Sequence, residues 1–361
     1  MLRQPLSMPV DVTVCIRHGQ TFRGELCYYS FEPDGEEAER LRQANPSSNY
    51  HVIETALSNV PGQRRLNITR HRGYCSFLEP DLESDWFKYY RPGEGEIEST
   101  CAVNTTTIDD FSRSRNINID FLKLDTEGSE YDILLGAEQQ ISHSILGIRA
   151  EVSFQRMYKD QPVFPEMQNY LVKQGFFLVN LAYVGRGVPR SQLVGNPDVL
   201  SIDCDKYGIL VSSDAVWLLR YDQVVERCKS SEDLAVSILK YAYFCMLNSA
   251  PDVAIDALMR FAGEGECEFT SSVRDTTLYR ALRVVCIRYL GQWRMNPTDQ
   301  RWGLARTVSK QVFGLDLEPG HKYWEATSAA LIYLWLLMRC GFPSGILQPL
   351  FGSVTIGKHD E

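Results

Sequence analysis

Three acidic residues, Glu32, Asp125 and Glu127, stand at positions where carboxylates could do chemistry. A carboxylate held within hydrogen-bond reach of a hydroxyl can take its proton. One that ends the second strand of a nucleotide-binding unit accepts hydrogen bonds from ribose hydroxyls. Asp125 and Glu127 belong to IDFLKLDTEGSEYDILLGA, residues 119–137. The run opens as an apolar strand, passes through the acidic loop Asp125-Thr126-Glu127-Gly128, and closes as a helix with an apolar stripe at Ile133, Leu134, Leu135 and Ala137. Ser129 with Asp132 three residues on predicts a capping box at the helix start. Gly128 allows the tight turn into it.

A strand, loop and helix in this order make half of a parallel α/β unit. Ligands of such sheets sit outside the carboxyl ends of the strands, where Asp125 and Glu127 would project. Strand alternation places Phe121, Lys123 and Asp125 on one face. A buried lysine needs an anionic partner; Glu151, on the strand predicted over residues 145–154 (ILGIRAEVSF), is the first choice for Lys123 and Asp125 the second.

Upstream, residues 10–16 (VDVTVCI) predict a first strand, and residues 28–31 a second that ends at Glu32 and Pro33. A charged amphipathic helix follows over residues 34–45, then a third strand over 50–57 ending in Ala56 and Leu57. Pro61-Gly62 predicts a turn, residues 64–69 a strand, and 101–108 another. The segment 71–100, rich in Gly, acids and the aromatics Trp86, Phe87, Tyr89 and Tyr90, is long enough for a lid or acceptor-binding loop, or an aromatic-anchored surface loop. A helix over 161–175, a strand over 176–181, an irregular second lid over 185–206 and a final strand over 215–219 complete the unit.

These blocks together resemble the FkbM family of S-adenosylmethionine-dependent methyltransferases. The K-[IL]-D-x-E-G-x-E block matches residues 123–130, the F-E-P strand end matches Phe31-Glu32-Pro33, and the third strand of the family matches HVIETALSN, residues 51–59. EVSFQRMYKD (151–160), GFFLVNL (175–181) and DAVWLLR (214–220) fit its last strands. The resemblance covers roughly residues 28–220. It implies an α/β fold with a Rossmann-like class I methyltransferase sheet, its last strand an antiparallel edge, followed by an all-α C-terminal domain. It also implies S-adenosyl-L-methionine as cofactor, with Glu32, Ala56, Leu57 and Asp125 lining its site and Ala56, Leu57 and Ser58 on the adenine side. Asp125 and Glu127 would be the catalytic carboxylates, and the acceptor a hydroxyl of a carbohydrate or small natural product.

One block of the family pattern is missing. A glycine-rich turn of Asp-x-Gly-Ala-Asn type would follow the first strand, where glycines let the backbone approach the cofactor. Here residues 17–24 read RHGQTFRG, and the next strand begins near Leu26, which leaves barely the length of a parallel crossover. Either the first unit is degenerate or the domain begins upstream of Met1; the second reading is preferred. A degenerate, non-catalytic scaffold or interaction protein is the alternative to the enzyme. VTVCIRHGQT, residues 12–21, also resembles the R-H-G-x-T opening of histidine phosphatases, but His51, His71, His143, His321 and His359 lie in no context matching their second histidine.

The chain has 361 residues, 44% hydrophobic and 23% charged, which fits a globular protein of two domains, 1–220 and 221–361. The second shows helical periodicity over 224–236, 235–248, 253–261, 276–290, 302–312 and 323–340, separated by breakers such as Ala250-Pro251 and Pro297. It is read as a packing, homo-oligomerisation or recognition module. The net charge of −9 excludes a general nucleic-acid binder. Ten cysteines without a Cys-x-x-Cys pair predict reduced thiols and a cytoplasmic protein with no metal site. The most apolar run, residues 329–338, is shorter than the ~20 residues of a membrane span and predicts a buried helix.

Overall fold

The computed structural model describes residues 10–15, 26–187, 209–263, 269–276, 278–280, 282–283, 286 and 300–314. The R-H-G-x-T segment, most of the predicted second lid and the helix over 323–340 lie outside these. The described residues divide into two compact units, one over 10–15 and 26–223, the other from Val224 onward.

The first unit is mixed α/β. Its strands are β1 (Val10–Cys15), β2 (Leu26–Phe31), β3 (Tyr50–Ile53), β4 (Ala56–Leu57), β5 (Gly62–Thr69), β6 (Ile97–Thr106), β7 (Phe121–Leu124), β8 (Gly147–Ser153), β9 (Phe176–Gly187) and β10 (Ile209–Leu219). Seven of them form one sheet in the order β3-β2-β1-β7-β8-β10-β9, and β4-β6-β5 form a second. β2 pairs parallel with β3, and β7 with β8.

β1 departs from a parallel frame. It sits between β2 and β7 and runs antiparallel to both, with Val10 opposite Phe31, Cys15 opposite Leu26, and Val12 opposite Leu122. The short connection to β2 therefore needs no crossover helix, which resolves the length problem seen in the sequence. The carboxyl end of β1 lies beside the start of β2, at the edge of the sheet opposite Phe31. β10 is antiparallel as expected but is not the edge strand: β9 pairs along its outer side, from Leu219↔Phe176 to Ile209↔Gly187. The predicted third strand divides into β3 and β4 because Glu54 and Thr55 carry the chain from one sheet to the other.

Helix α1 (Gly35–Ala44) starts on Asp34, whose carboxylate accepts the backbone N–H groups of Glu36 and Glu37. α2 (Ile108–Arg115) starts on Thr107, which accepts from Asp110. The single helix predicted after Gly128 is two short ones, α3 (Glu130–Leu135) and α4 (Glu138–His143), broken at Gly136. A Cβ on Gly136 would come within 2.3 Å of the Ser58 carbonyl oxygen, so only glycine fits this crossing. The segment predicted as a long loop holds a 3₁₀ turn (Arg72–Tyr74) and a π-helical turn (Trp86–Tyr90) before β6. α5 (Phe164–Lys173) buries Met167 and Leu171, and its Gln168 accepts the indole N–H of the fully buried Trp217 at 2.7 Å.

The described residues past 220 carry the helices α6 (Tyr221–Arg227), α7 (Ser231–Leu247), α8 (Pro251–Gly263), α9 (Ser271–Arg274) and α10 (Gln300–Phe313). Ala250-Pro251 stands at the break between α7 and α8 as the sequence predicts, and Pro251 opens α8, where the first turn has no use for its missing N–H. In the second unit α7 buries residues around its whole circumference, as a central helix must. Phe269 packs against Phe261 and Tyr279, with ring centroids 4.8 and 5.3 Å apart. Among the described residues, no helix is long and apolar enough to cross a membrane, and no group of three or more His, Cys, Asp or Glu residues could hold a metal ion.

Candidate functional site

The carboxyl ends of β2 and β7 share one rim of the large sheet, because both strands oppose the same inverted β1. β2 delivers Phe31, Glu32 and Pro33 there. Glu32 is fully buried, and its Oε1 accepts the backbone N–H of Asp34 at 2.9 Å, tying the strand end to the start of α1. β7 delivers Lys123 and Asp125, paired at 3.1 Å with the Asp125 side chain 45% exposed. The sequence put Glu151 first as the lysine's partner. The structure selects Asp125, since alternation brings the two side chains out on the same face and Lys123 is only half-buried.

The turn after β7 is tight. Glu127 (φ 54°) and Gly128 (φ 97°) are both left-handed. For a glutamate this conformation is strained by about 1–3 kcal/mol and persists only where surroundings over-determine it. They do so here. Ser76 Oγ donates to the Glu127 carbonyl at 2.7 Å, and Tyr158 Oη donates to its Oε2 at 3.1 Å. A Cβ on Gly128 would meet Gln161 Nε2, Leu78 and Tyr158 at 3.1–3.3 Å. Gln161 in turn accepts the backbone N–H groups of Met157 and Tyr158 and donates to Ser153 Oγ at 2.9 Å. The turns after β7 and β8 are thus one knitted body.

The predicted capping box does not form. Ser129 occupies the N-cap position with φ −96° and ψ 4°, not the extended backbone a capping side chain needs, and its hydroxyl makes no cap bond. Glu130 does the work from the other side: its Oε1 accepts the Thr126 backbone N–H at 2.6 Å and the Thr126 hydroxyl at 2.9 Å. Asp132 pairs instead with Arg64, at 2.9 Å. That leaves Ser129 Oγ buried without a hydrogen-bond partner.

Carboxyl groups crowd this rim. Burial, and then the charge of Glu151, pushes the Glu127 carboxyl well above the usual carboxylate range. Burial also raises Glu130. Glu151, on β8, is pushed up to about 8 by burial and by Glu130, Asp125 and Asp214, with the Ser212 hydroxyl pulling the other way. The nearby Asp214 is held by Arg149, whose Nε lies 2.9 Å from Oδ2. Burial and Glu127 raise the Tyr158 phenol, so it stays a donor.

Beside the carboxyl cluster lies a narrow crevice with room for little more than a water molecule, about 10 Å³, walled by Phe31 and Pro33 from the end of β2, Ala56 and Leu57 from β4, Phe77, and Thr126 and Ser129. Phe77 is held by Arg64, whose guanidinium lies 4.6 Å from the ring centroid while its Nη1 donates to Ser58 Oγ at 2.8 Å. Of the residues singled out in the sequence, Ala56 and Leu57 line this crevice directly. Glu32 and Asp125 lie at the same rim next to lining residues, and Glu127 faces Tyr158.

Sequence reasoning passed over Glu151 as a site residue in its own right, and Tyr158, Glu130 and Phe77 altogether. A signal existed for Glu151, an acid interrupting an apolar strand; none existed for Tyr158, whose role depends on a turn thirty-one positions away.

Residues 14–178 match the model of a family described as the methyltransferase FkbM domain. Neither the curated proteins nor the solved structures contain a match.

Proposed function

Because residues 14–178 are a methyltransferase FkbM domain, we propose that this chain transfers a methyl group from S-adenosyl-L-methionine to a hydroxyl of a carbohydrate or small natural product. The observation that carries the reading is the adjacency of two features at one rim: an apolar crevice containing Ala56 and Leu57, and the carboxyl cluster of Asp125, Glu127 and Glu151. The crevice has apolar walls and room for little more than a water molecule, so the donor lies along the rim, over the crevice residues and beside Asp125.

When bound, S-adenosylmethionine supplies a methyl group made electrophilic by its sulfonium. The chain's own part is orientation and proton handling. Asp125, steadied by Lys123, orients the reactants at the mouth of the site. Glu127 and Glu151 are half-buried near each other with their proton affinities raised, so once ionised, above about pH 8 for Glu151, they are strong enough bases to take the acceptor's hydroxyl proton. Tyr158 fixes the Glu127 carboxylate by its hydrogen bond.

The helical part over 221–361 is read as a recognition or homo-oligomerisation module, with the catalytic domain over 1–220. The free thiols of the described cysteines suit a cytoplasmic setting. A non-catalytic scaffold is the competing function, and one observation favours it: β1 runs away from the rim, so its carboxyl end brings no glycine-rich turn to the site.

Calorimetric titration with S-adenosylhomocysteine separates the two. Saturable binding that survives Glu151→Gln, with methyl transfer to hydroxylated acceptors lowered by that variant, supports the enzyme. Absence of binding by the folded chain leaves the scaffold.

A further inference from the structure

We propose that Tyr183 is the platform on which the acceptor is held, and that the acceptor is a carbohydrate whose ring stacks on this side chain. This rests on the methyl-transfer reading given above. Tyr183 stands in a left-handed backbone conformation, φ 51°, which an aromatic residue keeps only where its surroundings impose it. A β-bulge imposes it here: from Ala182↔Asp214 to Gly185↔Ser212, three steps of β9 run against two of β10. Plain alternation would send Tyr183 to the face opposite that of Ala182 and Asp214. The bulge turns it back, as bulges beside functional sites do. Its ring centroid lies 5.4 Å from the guanidinium of Arg149, which reaches from β8 to bond Asp214 Oδ2 through Nε and Nη2. Even against that cation the residue is 54% exposed, so it has surface to offer a ligand.

The surroundings select a sugar. Strand register sets Lys123, Arg149, Glu151, Ser212 and Asp214 on the face to which the bulge turns Tyr183. An apolar ring bound there would desolvate these groups without satisfying them. A sugar ring carries both surfaces that the site calls for. Its axial C–H groups pack on the negative face of an aromatic ring, and its hydroxyls donate to carboxylates at the edge. The placement suits the reaction as well. Ala182 stands opposite Asp214, and Asp214 opposite Glu151, so the backbone of Tyr183 lies two strands from Glu151, about 10 Å at the usual strand spacing. A sugar held on the ring therefore sets its own hydroxyl, or that of the next unit, beside Glu151.

The test reads sugar binding apart from donor binding, on the full chain. An array of mono- to tetrasaccharides is probed with wild type, and each glycan it binds is titrated into wild type, Tyr183→Trp, Tyr183→Ala and Tyr183→Gly, alongside S-adenosylhomocysteine. Affinity for the glycans should persist in Tyr183→Trp and fall by about 5- to 30-fold in Tyr183→Ala, as when an aromatic anchor is truncated. S-adenosylhomocysteine should bind all four alike. Tyr183→Gly should lose the glycans as Tyr183→Ala does and yet melt no lower than wild type, because glycine takes a positive φ without strain. A wild type that binds no glycan, glycan affinity unchanged in Tyr183→Ala, or a lower melting temperature for Tyr183→Gly would overturn the platform while leaving the donor reading to its own titration. Glycan binding by a wild type that does not bind S-adenosylhomocysteine would remove the donor reading, and the acceptor role with it.

Discussion

The phenolic hydroxyl of Tyr158 donates to Glu127 Oε2 across 3.1 Å, joining the turn that follows β7 to the loop that follows β8. Neither residue could be placed without the other. Glu127 stands in a left-handed backbone conformation that its side chain does not favour, and Tyr158 is fully buried with its hydroxyl aimed at that turn.

Removing the hydroxyl should therefore act on both stability and titration. Tyr158→Phe strips the half-buried Glu127 carboxyl of its donor, a loss of about 1–3 kcal/mol by denaturant unfolding. The same hydrogen bond restrains the rise in the Glu127 carboxyl's proton affinity. Its loss moves that affinity further up, so the acid limb of the pH–rate profile should shift to higher pH. A variant with lower activity but an unshifted profile would mean that Glu127 takes no part in the proton transfer.

Glu151 makes stability itself depend on pH. Its carboxyl is at about 8 when folded, against 4.5 for the free group. The folded state thus keeps a proton that the unfolded chain gives up, and stability is greatest below pH 4.5 as far as this residue is concerned. It is lost as pH rises from there through about 8. Glu151→Gln should flatten this part of the curve and be more stable than wild type at pH 8–9, by an amount on the order of a few kcal/mol. Chemical denaturation at pH 5, 7 and 9 reads it out, and parallel curves for the two proteins would contradict the assigned burial.

Asp125 offers the opposite separation. Its pair with Lys123 is partly open to water, and such pairs contribute about 0–1 kcal/mol. Asp125→Asn should leave the unfolding midpoint nearly unchanged while lowering methyl transfer by about 10²-fold or more, the range for a group that acts on the reacting proton or its orientation. A large stability loss with intact activity would recast the residue as structural.

Gly136 tests the packing that frames the crevice. An added methyl would meet the Ser58 carbonyl oxygen at 2.3 Å, and Ser58 follows the crevice residues Ala56 and Leu57. Gly136→Ala should cost about 1–3 kcal/mol, as overpacking does, because a backbone oxygen must move. It should also weaken S-adenosylhomocysteine binding by displacing Ser58 from Arg64 Nη1, which bridges it to Asp132. A variant as stable as wild type would show that the two segments separate easily.

Much of this protein was legible in one dimension because the information was local. The strand-loop-helix alternation around residues 119–137, the helical texture past residue 220, and the positions of Glu32, Ala56, Leu57, Asp125 and Glu127 at strand ends all depend on periodicity and turn residues within a few positions. What depended on pairing across the chain was not. The reversal of β1 cannot be read from VDVTVC, since a strand's side-chain alternation is the same in either direction. Likewise Ser129 and Asp132 have the spacing of a capping box. It took Glu130 bonding back to Thr126, and Arg64 arriving from β5 to claim Asp132, to break that pattern and leave the serine hydroxyl without a partner. Residue types and local spacing determined which groups reach the rim. Three-dimensional packing alone decided which of them are buried, which keep a proton, and which hydroxyl is left without a partner, because desolvation and hydrogen-bond competition are properties of neighbours distant in sequence.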